Sequence, residues 1–432
     1  MDNANTPNNN VNNKIVLTRL NLDNMQPATF FAIYENGKAQ RVELFYDDDR
    51  YDLGNIYVAH VNDLVKNINA AFVEYAPGHK GYLSLEEYHE KSDSVFFTNR
   101  KNTRKVCQGD NILIQVKKEP IKTKDAVVST NIEYSGKYIV LTYGKSDISV
   151  SSKITDNSIR DVLKKLGESF IASIDFDNQQ YPLFTEEIFM SILHGTGIIF
   201  RTECGTEEAL ENLGLIREEL VRLFQEFLMI FHKAMSSKGR TLIKEAQNPI
   251  ITMTKNALKH TENEDNEVIT DSKEIFYTLA SEGIKARLYL DELLPLYKLY
   301  SVESVLNEII SKKIWLKSGG YLIIEYTEAM TVIDVNTGKC DQGKDKEKTI
   351  MKINTEAADE ILRQLRLRNI SGIIIVDFID MKSEDFKSQL MRQLKSKAAK
   401  DQVRTTIVDM TRLNLVEITR KKIRERIIIK KR

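Results

Sequence analysis

Cysteine is scarce in this chain of 432 residues: Cys107, Cys204 and Cys340 are odd in number, far apart and without a C-x-x-C pair. That usage excludes a disulfide framework and a structural zinc site within one chain, and it fits a reducing, cytoplasmic compartment. An excess of charge of one sign is also lacking, since 62 Lys or Arg face 62 Asp or Glu. No global field therefore draws the molecule to a polyanion, and any such attraction must be local. No apolar run approaches the length of a membrane span, and the start carries no basic segment followed by a hydrophobic one, so no span and no leader are expected. The six histidines, at 60, 79, 89, 194, 232 and 260, show no H-E-x-x-H or other ligand spacing and receive no catalytic role.

What is present is ordinary globular usage, 42% hydrophobic and 29% charged, over a length that suits two or more cores. Residues 1–13 are Asn-rich with few apolar groups and read as a disordered tail. Charge is uneven along the chain. Residues 261–274 are acidic, whereas residues 395–432 hold 13 Lys or Arg against four Asp or Glu, which suits either a solvated amphipathic helix or phosphate contact.

Periodicity sketches the architecture. KIVLTRL, TFFAIYE and AQRVELFYD alternate apolar and polar residues around a Glu35-Asn36-Gly37 turn, the pattern of a small antiparallel sheet. From about residue 52 to 124, GNIYVAHVN, AAFVEYA, GYLSL and NILIQVKK recur between Gly, Pro and Asn turns, which is a barrel signature. Residues 207–235 form a long apolar helical pattern. After about residue 287 helices and strands alternate as in an α/β fold: 302–316 helical, 321–334 a hairpin, 354–369 an amphipathic helix, and 372–376 a buried strand.

Two aspartates end strand-like runs, Asp334 in TVIDVNTG and Asp377 in GIIIVDFIDM. By spacing alone each reads first as a turn residue closing its strand. Two such acids at the ends of strands can also share one hard cation, and Mg²⁺ held by one or two carboxylates suits phosphodiester chemistry. Asp380 in the same phrase reads as a structural residue capping or steering the next helix.

Four phrases in order, SGGYLIIEYTEAMTVIDVNTG, AADEILRQLRLRN, GIIIVDFIDM and RLNLVEITRKK, resemble the catalytic core of the ribonuclease E/G family, and the likeness extends over roughly residues 14–422. The resemblance implies an α/β and β multidomain fold. An RNase H-like subdomain (residues 14–50 and 217–286) would be interrupted by an S1-type OB barrel (51–130) and a 5′-sensor subdomain (131–216). A DNase I-like α/β catalytic subdomain (287–432) would follow, and the 207–235 helix would pack on the RNase H-like sheet.

It further implies one Mg²⁺ held by Asp334 and Asp377, with Asn336 bonding the phosphate or the attacking water, and single-stranded RNA, A/U-rich, as substrate. Phe72 and Tyr82 fall on base-stacking positions and Lys124 on a basic position facing the strand. By alternation alone, Phe72 could equally belong to the barrel core. For a pocket that grips the RNA 5′-phosphate, Gly136, Val140 and Arg404 match. Where the family has an Arg followed by a Thr, this chain has Ile159 then Arg160, so the register slips or the pocket is altered, and Arg160 reads equally as a surface position on its helix.

Family members usually continue into a cysteine pair that shares zinc between subunits and a small dimerisation domain. This sequence stops at RERIIIKKR, so no structural zinc and no zinc-linked tetramer are expected. A monomer, or weak association through exposed Ile427-Ile428-Ile429, is expected instead. Two function classes follow: an Mg²⁺-dependent endoribonuclease leaving 5′-phosphate and 3′-hydroxyl ends in RNA decay or rRNA processing, or an RNA-binding protein with little catalysis.

Overall fold

The alternation at the start of the chain builds β1 (Asn13–Leu20), β2 (Ala28–Glu35) and β3 (Lys38–Tyr46). The β2–β3 hairpin turns on Asn36 and Gly37, with φ of 50° and 74°, the left-handed pair that a two-residue turn between twisted strands requires. In the computed structural model, residues 13–49, 51–86, 95–98, 105–120, 124–260, 266–338 and 346–431 are described. The expected tail (save Asn13), His89, Cys340 and the start of the acidic stretch lie outside them. The chain forms two compact units, Tyr51–Gln247 on one hand and Met1–Arg50 with Asn248–Arg432 on the other.

In the inserted unit, β4 (Ile56–Val65), β5 (Ala70–Ala76), β6 (His79–Ser84), β7 (Asn111–Lys118) and β8 (Ala126–Ser129) close in the order β4-β5-β6-β8-β7 and back to β4. Only β6 and β8 pair in parallel. This is an OB-like five-stranded barrel, and closure removes the free edges that would invite aggregation. Its interior is filled by Tyr57, Val61, Val73, Tyr75, Leu83 and Ile112.

The unit continues through β9 (Ile132–Ser135), β10 (Ile139–Tyr143), β11 (Ile148–Val150), α1 (Asn157–Ala172), α2 (Glu186–Gly195), β12 (Thr196–Phe200), α3 (Glu207–Glu211), α4 (Leu213–Met235) and β13 (Thr241–Lys244). A second sheet runs β11-β12-β10-β9, while β13 adds to the barrel beside β4. The apolar stripe of α4, Ile216, Leu220, Leu223, Phe227 and Phe231, is buried with Leu141, Ile198 and Phe200 of this second sheet. The 207–235 helix therefore packs on the second sheet of its own unit. Elements close in sequence tend to be neighbours in space, and β10 and β12 are the sheet strands nearest to α4 along the chain that share its core.

The other unit resumes with α5 (Pro249–His260), β14 (Asn266–Thr270), α6 (Lys273–Ser281), β15 (Arg287–Leu288), α7 (Leu296–Leu299) and α8 (Val302–Ile310), giving a five-stranded sheet β15-β14-β1-β2-β3. Its final sheet is built from β16 (Lys313–Trp315), β17 (Tyr321–Tyr326), β18 (Met330–Asn336), α9 (Lys346–Leu367), β19 (Gly372–Asp377), α10 (Glu384–Ala398), β20 (Thr405–Met410) and β21 (Leu415–Arg420), in the order β16-β17-β18-β19-β21-β20.

Three local expectations change here. The 302–316 pattern is a short helix followed by a strand, because Lys313, Ile314 and Trp315 alternate and pair with β17, and Ser311 bridges to the Lys313 carbonyl at 2.8 Å. The amphipathic helix starts at Lys346, earlier than the expected 354. The 372–376 strand is buried on one face only: Ile374 and Val376 are inaccessible, while Ile373 is 48% exposed.

The basic C-terminal stretch is not helical beyond α10. Residues 421–431 run back along the core of the N-terminal sheet, where Ile427 and Ile429 pack. Tyr46 Oη donates to the Ile428 carbonyl and accepts from the Lys430 amide, each at 2.9 Å. Of the isoleucine triplet only Ile428 faces out, so it is not an exposed apolar association surface.

Candidate active site

β18 and β19 are joined through α9, the crossover that parallel neighbours need. Their register sets Asp334 directly opposite Asp377. Period-2 alternation then sorts the faces. Ile333, Val335, Ile374 and Val376 are buried in the core with Ile361, Leu362, Leu390 and Leu394 of α9 and α10. Asp334, Asn336 and Asp377 consequently lie on the opposite, open face, with Asp377 exposed and Asp334 half-buried.

The Asn336 amide donates to Asp334 Oδ2 at 2.5 Å, which fixes one carboxylate oxygen and the amide plane together. Beyond it the chain turns at Gly338, φ 56°, where a Cβ would stand 2.2 Å from the Gly319 carbonyl oxygen. Any side chain there would displace the turn that follows the site.

The electrostatics are unbalanced. Among the described residues no Lys or Arg pairs with Asp334 or Asp377. The Asp377 carboxyl is pushed above its usual range, first by loss of water around the carboxyl although the residue as a whole is exposed, then by the negative charges of Asp334 and Asp380. Among the described residues no group of three or more His, Cys, Asp or Glu is arranged to hold a metal ion. Two hard oxygen donors facing each other without a counter-charge nonetheless fit Mg²⁺, which completes its shell with water and phosphate oxygens. Asp380 is exposed and accepts from Asn414 Nδ2 at 3.2 Å. It does not cap α10. Ser383 does, accepting from the Phe386 amide at 3.4 Å.

On the barrel, Phe72 and Tyr82 are register partners on β5 and β6, half-buried, with ring centroids 6.0 Å apart at 70°. Their neighbours Ala71, Val73 and Leu83 take the inward positions. The two rings lie on the outer surface of the second and third barrel strands, the face OB folds use for oligonucleotides. Lys124 is exposed just before β8, whose Val127 pairs with Tyr82.

Of the residues expected at a 5′-phosphate pocket, Gly136, Val140 and Arg160 lie in the inserted unit and Arg404 in the other. Gly136 leaves room for the Glu219 carboxylate of α4, which would stand 2.2 Å from a Cβ there. That carboxylate accepts from the Tyr138 and Ile139 amides at 2.8 and 3.1 Å. Val140 is half-buried on β10, paired with Ser135 and Ile199. Arg160 Nη1 donates to the Ser151 and Ile154 carbonyls at 2.8 and 3.0 Å, holding the turn before α1. Arg404 is exposed and belongs to the other unit. Glu219 went unnoticed in the sequence; a carboxylate inside the apolar stripe of a long helix was its available signal.

Comparison with known proteins identifies the family. The Ribonuclease E/G family model matches residues 134–423. Ribonuclease G of Escherichia coli strain K12 is 32% identical over 422 residues, covering 94% of this chain and 80% of its own. Ribonuclease G of Haemophilus influenzae is 31% identical, covering 92% and 78%. Ribonuclease E of a Nostoc species is 30% identical, covering 90% of this chain and 54% of its own. One unit carries an OB-like barrel and the other a sheet with two acids on its open face, and the chain belongs to the ribonuclease E/G family.

Proposed function

We propose that this family member is an endoribonuclease that hydrolyses single-stranded RNA at the Asp334–Asp377 pair with one Mg²⁺, leaving a 5′-phosphate and a 3′-hydroxyl. The observation that carries the reading is the strand register, which brings two carboxylates 43 residues apart in sequence onto neighbouring positions of one open face with no Lys or Arg paired to them among the described residues.

Asp334 and Asp377 would hold the cation, and Asn336, clamped to Asp334, keeps a second amide N–H for a phosphate oxygen or the attacking water. When bound, Mg²⁺ neutralises charge developing on the phosphorane-like transition state and makes the attacking water more acidic. Phe72 and Tyr82 supply stacking faces for unpaired bases, and Lys124 a charge for the backbone. Stacking reads flexible, unpaired strands, which favours A/U-rich segments of decaying messenger RNA or precursor ribosomal RNA in the cytoplasm.

The test is cleavage of a 5′-monophosphate single-stranded RNA with Mg²⁺, comparing the native chain with Asp334→Asn and Asp377→Asn. Cleavage lost in both variants with RNA binding retained supports the reading. Binding without cleavage by the native chain would replace the enzyme with an RNA-binding scaffold.

A further inference from the structure

The open face of the catalytic sheet carries a second group of side chains. Register sets Lys313 opposite Ile323, and Ile323 opposite Asp334. Two residues along, Trp315 stands opposite Tyr321, and Tyr321 opposite Asn336. Register partners project to the same face. Two rows therefore cross the sheet toward the acids, one from Lys313 and one from Trp315, while the alternate residues Ile314, Leu322 and Ile324 are buried on the far side.

Trp315 is the chain's single tryptophan, and it is 60% exposed on β16, the edge strand. Its ring and that of Tyr321 lie 5.3 Å apart at 63°. Lys313 Nζ sits 4.0 Å from the Trp315 centroid and 3.7 Å from that of Tyr321. No carboxylate pairs with Lys313 among the described residues. Trp315 is thus too open to be core, and its ring is oriented by a neighbour and a cation rather than by packing. At about 4.8 Å per strand spacing, the Trp315 backbone stands roughly 10 Å from that of Asn336.

We propose that Trp315, Tyr321 and Lys313 form a base-stacking subsite for the substrate strand. It takes an unpaired nucleobase a nucleotide or two from the cleaved phosphate on the β16 side of the acids. The indole offers its open face to the base, Tyr321 braces the indole, and the Lys313 ammonium meets an adjacent phosphate. Sequence-tolerant stacking on aromatic planes beside a cation is the chemistry by which unpaired strands are held. The subsite rests on the nuclease reading and extends it: it fixes which way the strand leaves the acids.

Because Trp315 is the sole tryptophan, indole emission of the full chain, excited at wavelengths beyond tyrosine absorption, reports on this position alone. A fluorescein-labelled uridine-rich 12-mer is titrated with the Asp377→Asn chain, following label anisotropy for binding and indole emission for stacking. The expected result is quenching that saturates together with anisotropy. In the otherwise native chain, Trp315→Ala should lower kcat/KM roughly 5- to 100-fold, mainly through KM, with Trp315→Phe restoring most of it and the melting temperature unchanged in both. Binding by anisotropy with unaltered indole emission, together with native cleavage by Trp315→Ala, overturns the subsite while leaving the nuclease reading intact. An RNA neither bound nor cleaved by the native chain removes that reading, and the subsite with it.

Discussion

Asp334 and Asp377 on one sheet, and Glu219 under the Gly136 loop, are carboxylates built to opposite ends. Glu219 is 8% exposed, and its carboxylate accepts from two backbone amides of its own unit. The Asp pair faces a like charge and has only the Asn336 amide as a donor among the described residues. A charge saturated from within serves folding, whereas a charge left unbalanced on an open face awaits a ligand. Asp401 is a second saturated case: it pairs with Arg420 at 2.9 Å, with side chains 4% and 3% exposed. The contrast separates residues whose loss should unfold the protein from residues whose loss should silence it.

The largest effect should come from the unbalanced pair. Asp334→Asn and Asp377→Asn are each expected to lower cleavage by about 10³-fold, several kcal/mol of transition-state stabilisation, without lowering the melting temperature. On the proposed reading both acids serve one ion, and the double variant should then be no slower than the worse single one in single-turnover assays. Independent, multiplying losses would break the comparison.

Asp401→Asn should do the reverse. It leaves Arg420 buried without its counter-ion, at about 3–5 kcal/mol of stability by denaturant titration, while folded molecules still cleave. Burial pushes the Asp401 carboxyl up, but the hydrogen bond and charge of Arg420, with the Val403 amide and Thr405 hydroxyl, hold it below its usual range. Its stabilisation is therefore complete above the unfolded value of about 3.9 and is lost as pH falls through the lower folded value. The variant should accordingly show a shallower acid limb in stability against pH.

Glu219→Ala should cost about 2–3 kcal/mol, since it orphans the Tyr138 and Ile139 amides and leaves a void beside Gly136, with kcat unchanged for the folded fraction. The smallest effect is expected at Arg160. Arg160→Gln should lower stability by about 1 kcal/mol through the Ser151 and Ile154 carbonyls. It should leave the ratio of cleavage rates on 5′-monophosphate and 5′-triphosphate RNA as it was; a collapse of that ratio would make Arg160 a phosphate ligand.

How much of this was readable beforehand depends on range. The strand runs leading to Asp334 and Asp377, the Asn36-Gly37 hairpin and the recurrent β segments of the barrel are local patterns that formed as strands, although β18 runs on to Asn336 and β19 is buried on one face only. The family phrases pointed to the acids, but the one-to-one register of β18 and β19 is a tertiary fact that no spacing encodes. The α4 stripe declared a buried face without saying which sheet would cover it. Reading 302–316 as one helix concealed β16 and with it the orientation of Trp315, because apolar residues in a short window satisfy both periods. Arg160 and Glu219 were opaque for a different reason: their partners are backbone groups, which carry no sequence identity.

The claim at the centre is that the two aspartates share one divalent ion, and Mn²⁺ titration followed by electron paramagnetic resonance tests it without recourse to activity. One site per chain in the native protein, lost in Asp334→Asn and equally in Asp377→Asn, is the predicted result. Undiminished Mn²⁺ binding in either variant would contradict it.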